Sequence, residues 1–293
     1  MTMSTRWRTD NPFLIGVLIM ALGAGAIGSL YAVDRQRQDL GSGVELSYLP
    51  KGDYLKVAVV GYRQIVADIL WLKAVQNLAG KNQTRQAYLA AYHAVDVLTE
   101  LDPQFVHAYQ FTGTILGVWA GLVNESVAIL AKGIQHNPTV WELPFFLGYD
   151  YYYELHDPAT AAQYFRTASM LAGAPAYLPN LAARMTVEAG DPNAALEFLQ
   201  HVYQGTEDEQ LREGLTKRIR EVTAERDIRF LEHGVQTYRE RYGKLPEALE
   251  DLAATGVIPE IPQEPFGGRY ELVPSDGTVK SPGLRERLQV HKK

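Results

Sequence analysis

Three small residues recur along this chain at an almost constant interval. Gly113 and Gly148 are 35 residues apart, and Gly148 and Ala182 are 34 apart. Each lies in a segment patterned as a helix, and each is followed by a second helical pattern in which a small residue precedes a large apolar one. The pairs are Ser126 and Leu130, then Ala161 and Phe165 with Ala168, then Ala194 and Phe198. A period near 34 built from two helices is the signature of a stacked array of helical hairpins. Such arrays bury a continuous core between neighbours, and their usual work is to bind other proteins.

Composition narrows the classes further. With 293 residues, 46% hydrophobic and 21% charged, the chain is long enough for one large or two modest folded domains and is not a disordered polymer. The net charge of -6 argues against a nucleic-acid partner, which asks for a basic stripe. There is no cysteine, so disulfides, thiolate catalysis and cysteine-ligated zinc are all excluded.

Phe13 to Val33 is a run of 21 residues without a charge. At 1.5 Å per residue it spans roughly 31 Å, enough to cross a bilayer core of about 30 Å. The expectation is a single-pass protein of a bacterial inner membrane, with the chain beyond residue 33 on the periplasmic side. Ala24-Gly25-Ala26 has the small-x-small shape of a signal-peptide cleavage site, but apolar character continues through Ile27, Leu30 and Val33, which favours an uncleaved anchor. Ala24 and Gly28 are four apart and let two such helices approach closely, which leaves a homo-oligomer open.

The rest of the chain divides by pattern into a tail at 1–12, the apolar span 13–33, a linker 34–53, helical repeats over 54–205, a long helix at 206–243 and a distinct segment at 244–293. Tyr54 to Leu78 reads as one helix with apolar residues Val57, Val60, Ile65, Ile69, Leu72 and Val75, and Arg85 to Leu101 as its partner. Asp102-Pro103 and Asn137-Pro138 end helices, because proline cannot continue one and restricts the residue before it. In Asp157-Pro158 and Asp191-Pro192 the aspartate caps the next helix and proline fills its first turn. Thr206-x-x-Glu209 reads as a capping box, and Gly243 as the stop of the long helix.

The repeats resemble the tetratricopeptide repeat family over about Tyr54 to Tyr203. The third copy carries Leu147-Gly148 and Tyr151, then Ala161, Phe165 and Ala168. The second has Tyr109, Gly113, Leu130 and Pro138; the fourth keeps Ala182, Ala194 and Phe198 but lacks the closing proline; the first has Trp71, Ala91, Val95 and Pro103. The resemblance implies a mainly α fold, an α-solenoid of about four hairpins after the N-terminal transmembrane helix, with a small α+β C-terminal segment. It also implies a concave groove lined by the first helix of each pair. By register this protein-binding groove takes His107, Gln110 and Thr114 from the second copy, and Glu142, Phe145, Tyr149, Tyr152 and Tyr153 from the third. In the first copy Gln76 faces the groove and Leu72 packs.

The C-terminal segment is of another kind. A short helix at Pro246 to Ala253 precedes Pro259, Pro262 and Pro265, then Phe266-Gly267-Gly268, a strand pattern at Arg269 to Val273, a turn at Ser275-Asp276-Gly277 and a second strand at Thr278 to Lys280. Tyr238, Gly243, Pro246, Leu249, Leu252, Pro262, Glu264, Pro265, Phe266, Gly267 and Tyr270 resemble the C-terminal region of type II secretion major pseudopilins. Phe13 to Val33 lacks the glutamate that prepilins carry, so the expectation is an association with a pilus or secretion assembly, or a proline-rich cap on the repeats, and not a pilin subunit.

No phosphate loop, dinucleotide fingerprint, nucleophile elbow or His-Glu-x-x-His is present. His156 beside Asp157 reads as a turn residue followed by a helix cap. The sequence therefore points to a non-enzymatic, membrane-tethered scaffold that binds protein partners, with no cofactor and no metal. The rival readings are a filament or coat subunit assembled through the pilin-like tail, and an envelope enzyme accessory.

Overall fold

The computed structural model describes residues 48–59, 61–79 and 83–288, together with Gly25 and Leu46. The chain falls into two compact units, Met1–Leu101 and Asp102–Lys293.

In the first unit the expected single helix from Tyr54 to Leu78 is two: α1 (Gly52–Ala58) and α2 (Arg63–Leu78). Gly61 takes a φ of 84° between them, a left-handed conformation that halts the helix and that glycine adopts without strain. α2 packs against α3 (Arg85–Leu101). Ala67, Leu70, Ala74 and Leu78 of α2 and Ala90, Ala91, Ala94, Val95 and Leu98 of α3 are all buried, and the alanines let the two axes approach. Asn77 Nδ2 donates to the carbonyl of Ala87 at 2.7 Å and ties the start of α3 to the end of α2.

The second unit contains α4 (Val106–Thr114), α5 (Val123–His136), α6 (Glu142–Tyr149), α7 (Pro158–Ser169), α8 (Leu178–Glu188), α9 (Pro192–Gly205), α10 (Glu209–Tyr242) and α11 (Glu250–Ala254). Each helix from α4 to α10 contacts its sequence neighbour, apart from the extended turns that continue α4 and α6. α4 also meets α6, and α8 meets α10. The recurrent small residues account for this closeness. A Cβ placed on Gly113 would stand 2.6 Å from Leu130 Cγ, and one on Gly148 3.1 Å from Phe165 Cε1. The positive-φ positions Gly121, His156 and Gly190 recur in the turns at the same interval. Asp157 and Asp191 cap α7 and α9, accepting from Thr160 N at 3.0 Å and Ala194 N at 2.9 Å.

α4 and α6 each run on into a π-helical turn, Ile115–Trp119 and Asp150–Glu154. The cap of α10 is Asp208, whose carboxylate accepts from Gln210 N and Leu211 N, and not the expected Thr206 box. Gly243 ends that helix at a φ of 70°. The tail folds onto α10: Tyr238, Leu249, Leu252, Ile258, Tyr270 and Val279 form one buried cluster with Ile228, Leu231 and Val235. Strands β1 (Glu271–Leu272) and β2 (Val279–Lys280) pair antiparallel, Leu272 opposite Val279.

Among the described residues no helix is long and apolar enough to cross a membrane. The expected span Phe13 to Val33 lies, Gly25 apart, outside the described residues. The architecture of a solenoid behind a transmembrane helix is accordingly corrected to a mainly α-helical fold with a two-stranded C-terminal segment. The single-pass inner-membrane location with a periplasmic C-terminal domain goes with it.

Candidate binding surface

α2 is apolar on two sides. One side, Ala67, Leu70, Ala74 and Leu78, is covered by α3. The other carries Tyr62 at its N-cap and then Ile65, Ile69 and Leu72, which are 66%, 56%, 50% and 59% exposed. Their spacing of three, four and three residues places them in one row along the helix, the seam spacing of helix-to-helix packing. Asp68 stands at the edge of this row, three residues after Ile65 and four before Leu72, and is itself exposed, as is Gln76 one further step along. On α1, Tyr54 and Val57 are also exposed. Leu72, expected to pack, is thus on the open side. An open row of large apolar side chains costs solubility, and such patches mark interaction sites.

The residues expected to line a groove lie in the second unit. His107 sits on α4 with its ring 6.2 Å from Phe111. Thr114 donates its hydroxyl back to the carbonyl of Gln110 at 2.9 Å, a bond internal to the helix. Glu142 lies in the first turn of α6. Phe145 is half-buried, 5.6 Å from Phe165 ring to ring, and belongs to the core of the unit.

Tyr149, Tyr152 and Tyr153 do come together. The rings of Tyr149 and Tyr153 are 4.4 Å apart, and Tyr153 meets Tyr152 edge-on at 4.7 Å. The π-helical turn that starts at Asp150 sets this grouping. The Tyr152 hydroxyl donates to Glu188 Oε2 on α8 at 3.2 Å. Burial, then the Glu188 charge, push the Tyr152 phenol up to about 12, so it remains a donor at any physiological pH. Tyr152 thereby joins two successive hairpins.

The seam itself was visible in the sequence as two apolar sets on one helix, Ile65, Ile69 and Leu72 beside Ala67, Leu70 and Ala74. Periodicity alone does not say which of two sets is covered. Among the described residues no group of three or more His, Asp or Glu side chains is placed to hold a metal.

No family model matches the chain and no curated protein matches it. The resemblances to tetratricopeptide repeats and to pseudopilin tails are corrected on that ground. What carried them has a physical reading of its own. The small residues permit close packing of consecutive helices, and the residues of the tail build a core against α10. The membrane-tethered repeat scaffold, its groove-bound partners, its self-association and its place in a pilus or secretion assembly are withdrawn with the resemblances.

Proposed function

We propose that the protein is a non-catalytic binding protein whose first unit takes an amphipathic helix of another polypeptide along Tyr62, Ile65, Ile69 and Leu72. The observation that carries this reading is the exposure of all four side chains in a row of three-four-three spacing on a helix whose opposite face is already packed. Such a row offers knobs to the holes of a facing helix. A helix lying on an anionic lipid surface would line its edges with lysine and arginine. Here the two edges differ in sign: Asp68 stands beside Ile65 and Leu72, and the exposed Lys73 stands four residues after Ile69. The Asp68 edge asks for a basic residue on the occupant. The non-catalytic part of the reading is supported by the use made of the buried ionisable groups. Asp150 is bonded to Ser126, Asp227 to Arg226 and Tyr270, and Glu225 to Arg229 and Arg287.

The test uses the full chain and two synthetic amphipathic peptides of about 20 residues, with leucines at three-four spacing. One carries lysine at the edge position that faces Asp68 and the other carries glutamate there. The lysine peptide is expected to bind, and Asp68→Lys to reverse the preference. Ile69→Asp is expected to weaken binding about tenfold or more without lowering the melting temperature. Binding that ignores Ile69→Asp, or that is displaced by phosphatidylcholine vesicles, overturns the proposal.

A further inference from the structure

In the second unit a cleft of about 580 Å³ opens between three elements: the turn Gly190 to Asn193 that leads into α9, the stretch Arg226 to Phe230 of α10, and Pro259 to Pro262 of the tail. This volume falls in the range of small-ligand sites, roughly 300–1,000 Å³. Its apolar lining is Phe230, 41% exposed, with Pro192, Pro259 and Pro262. Its charged lining is Arg226 and Arg229 with the carboxylates of Asp227 and Glu260, and both arginines are anchored along one edge only. Arg226 donates through Nε at 2.9 Å and Nη2 at 2.7 Å to Asp227 Oδ1. Arg229 donates through Nε at 2.9 Å to Glu225 Oε1.

These anchors orient the guanidinium groups and leave donors unspent. Among the described residues neither terminal nitrogen of Arg229 has a hydrogen-bond acceptor, and neither does Nη1 of Arg226. The acids that hold the arginines are themselves fully engaged. Asp227 accepts from the Tyr270 hydroxyl at 3.0 Å, and Glu225 from Arg287 Nε at 2.8 Å and Leu288 N at 3.2 Å. Each is therefore a fixed support and not a competitor for an incoming anion. A guanidinium held along one edge with its outer nitrogens open matches the two oxygens of a carboxylate. Beside it, an aromatic face and three proline rings suit an apolar body.

We infer that this cleft binds a carboxylate attached to an apolar group, with the carboxylate on Arg229 and Arg226 and the apolar group on Phe230 and Pro262. Two sources present that chemistry, a free organic acid and the C-terminus of a polypeptide. The site is in the second unit and stands independently of the helix-binding row on α2.

The experiment is calorimetric titration of the full chain with 3-phenylpropionate, with acetyl-Gly-Leu-Phe and with the amide of that peptide. The carboxylates are expected to bind and the amide to bind at least about tenfold more weakly. Arg229→Gln should weaken the carboxylates by a similar factor and leave the amide unchanged, because Glu225 keeps Arg287 and Leu288 N as partners and the fold is retained. Phe230→Ser should weaken all three. Tighter binding of the peptide acid assigns the site to polypeptide termini, and tighter binding of phenylpropionate assigns it to free acids. Equal affinity for acid and amide, no effect of Arg229→Gln in a protein that is still folded at the temperature of the titration, or no binding of either acid at millimolar concentration overturns the inference.

Discussion

Ser126 Oγ stands 2.5 Å from Asp150 Oδ2 and 2.8 Å from the carbonyl oxygen of Gly113. A hydroxyl has one proton and a carbonyl has none. With Asp150 ionised the Ser126 hydroxyl donates to Asp150 Oδ2; it is free to donate to the Gly113 carbonyl when the carboxyl is protonated and becomes the donor of the pair. The pair joins α5 to the two helices beside it. Burial is the main force on Asp150, with Ser126 opposing it and the Glu154 charge adding to it, and the carboxyl is pushed up to about 6.

A pH dependence of unusual sign follows. An unfolded aspartate titrates near 3.9, so the native state holds this proton more tightly, and the contribution of Asp150 to stability falls as pH rises from about 4 to about 6. Asp150→Asn keeps a donor and removes the charge. The variant is expected to gain on the wild type across that window, by on the order of 2 kcal/mol once pH exceeds 6. Urea unfolding of both proteins at pH 4.5 and pH 7.5 measures the difference, and parallel curves would contradict the assignment.

His156 has a φ of 53° in a turn where the two neighbouring hairpins have Gly121 and Gly190, at 63° and 99°. A side chain in that conformation meets its own backbone. His156 is also exposed, so little packing is lost by removing it. His156→Gly is expected to stabilise the second unit by about 1 kcal/mol, a rise of roughly 3 °C in melting temperature. An unchanged or lower melting temperature would show that the imidazole has a role in the turn beyond occupying it.

The contact between Gly113 and Leu130 gives a test of close packing. Gly113→Ala puts a methyl group against the Leu130 side chain and should cost about 1–3 kcal/mol by overpacking. In a Leu130→Ala background the methyl group enters vacated space, and alanine is the better helix former by about 1 kcal/mol, so the same change becomes stabilising. A double-mutant cycle followed by thermal unfolding reads the reversal of sign.

The helical hairpins were legible because the constraint that makes them is local and periodic. Small residues at Gly113, Gly148 and Ala182 and the Asp-Pro caps at 157 and 191 each fix one feature within a few residues of themselves. The break between α1 and α2 was missed because apolar periodicity runs through Gly61, and only the left-handed φ at that glycine shows the halt. Leu72 was expected to pack and is 59% exposed, because pattern reports amphipathicity and not coverage. The cleft was invisible because Arg229, Pro192 and Pro262 are brought together by the fold of the tail across α10, a relation with no spacing in sequence. The two family resemblances failed for a different reason: each rested on what similar sequences do, and no family model matches the chain. The expected span Phe13 to Val33 lies, Gly25 apart, outside the described residues.

The tail is held to α10 by a buried acid with four donors, and this sets the last expectation. Glu225, 0% exposed, accepts from Arg229 Nε at 2.9 Å, Arg287 Nε at 2.8 Å, Arg287 Nη2 at 3.2 Å and Leu288 N at 3.2 Å. Arg287 also donates through Nη1 to Glu232 at 2.9 Å, and Glu232 accepts from Val279 N on β2. Removing Arg287 leaves Glu225 with Arg229 and Leu288 N, takes from Glu232 its cationic partner and loosens the support of the strand pair, whereas removing Arg229 leaves the Arg287 bonds intact. Arg287→Met should therefore cost about 3–5 kcal/mol, the range for breaking a buried ion pair from one side. Arg229→Gln, which loses one charge-assisted hydrogen bond, should cost about 1.5–3 kcal/mol or less. Amide exchange separates this from a general loss of stability. In Arg287→Met the amides of Leu272 and Val279 are expected to exchange faster than those of α7, while in a generally weakened protein both would quicken together. Equal costs for the two substitutions would mean that Arg287 is a surface contact and that the apolar cluster around Tyr270 holds the tail unaided.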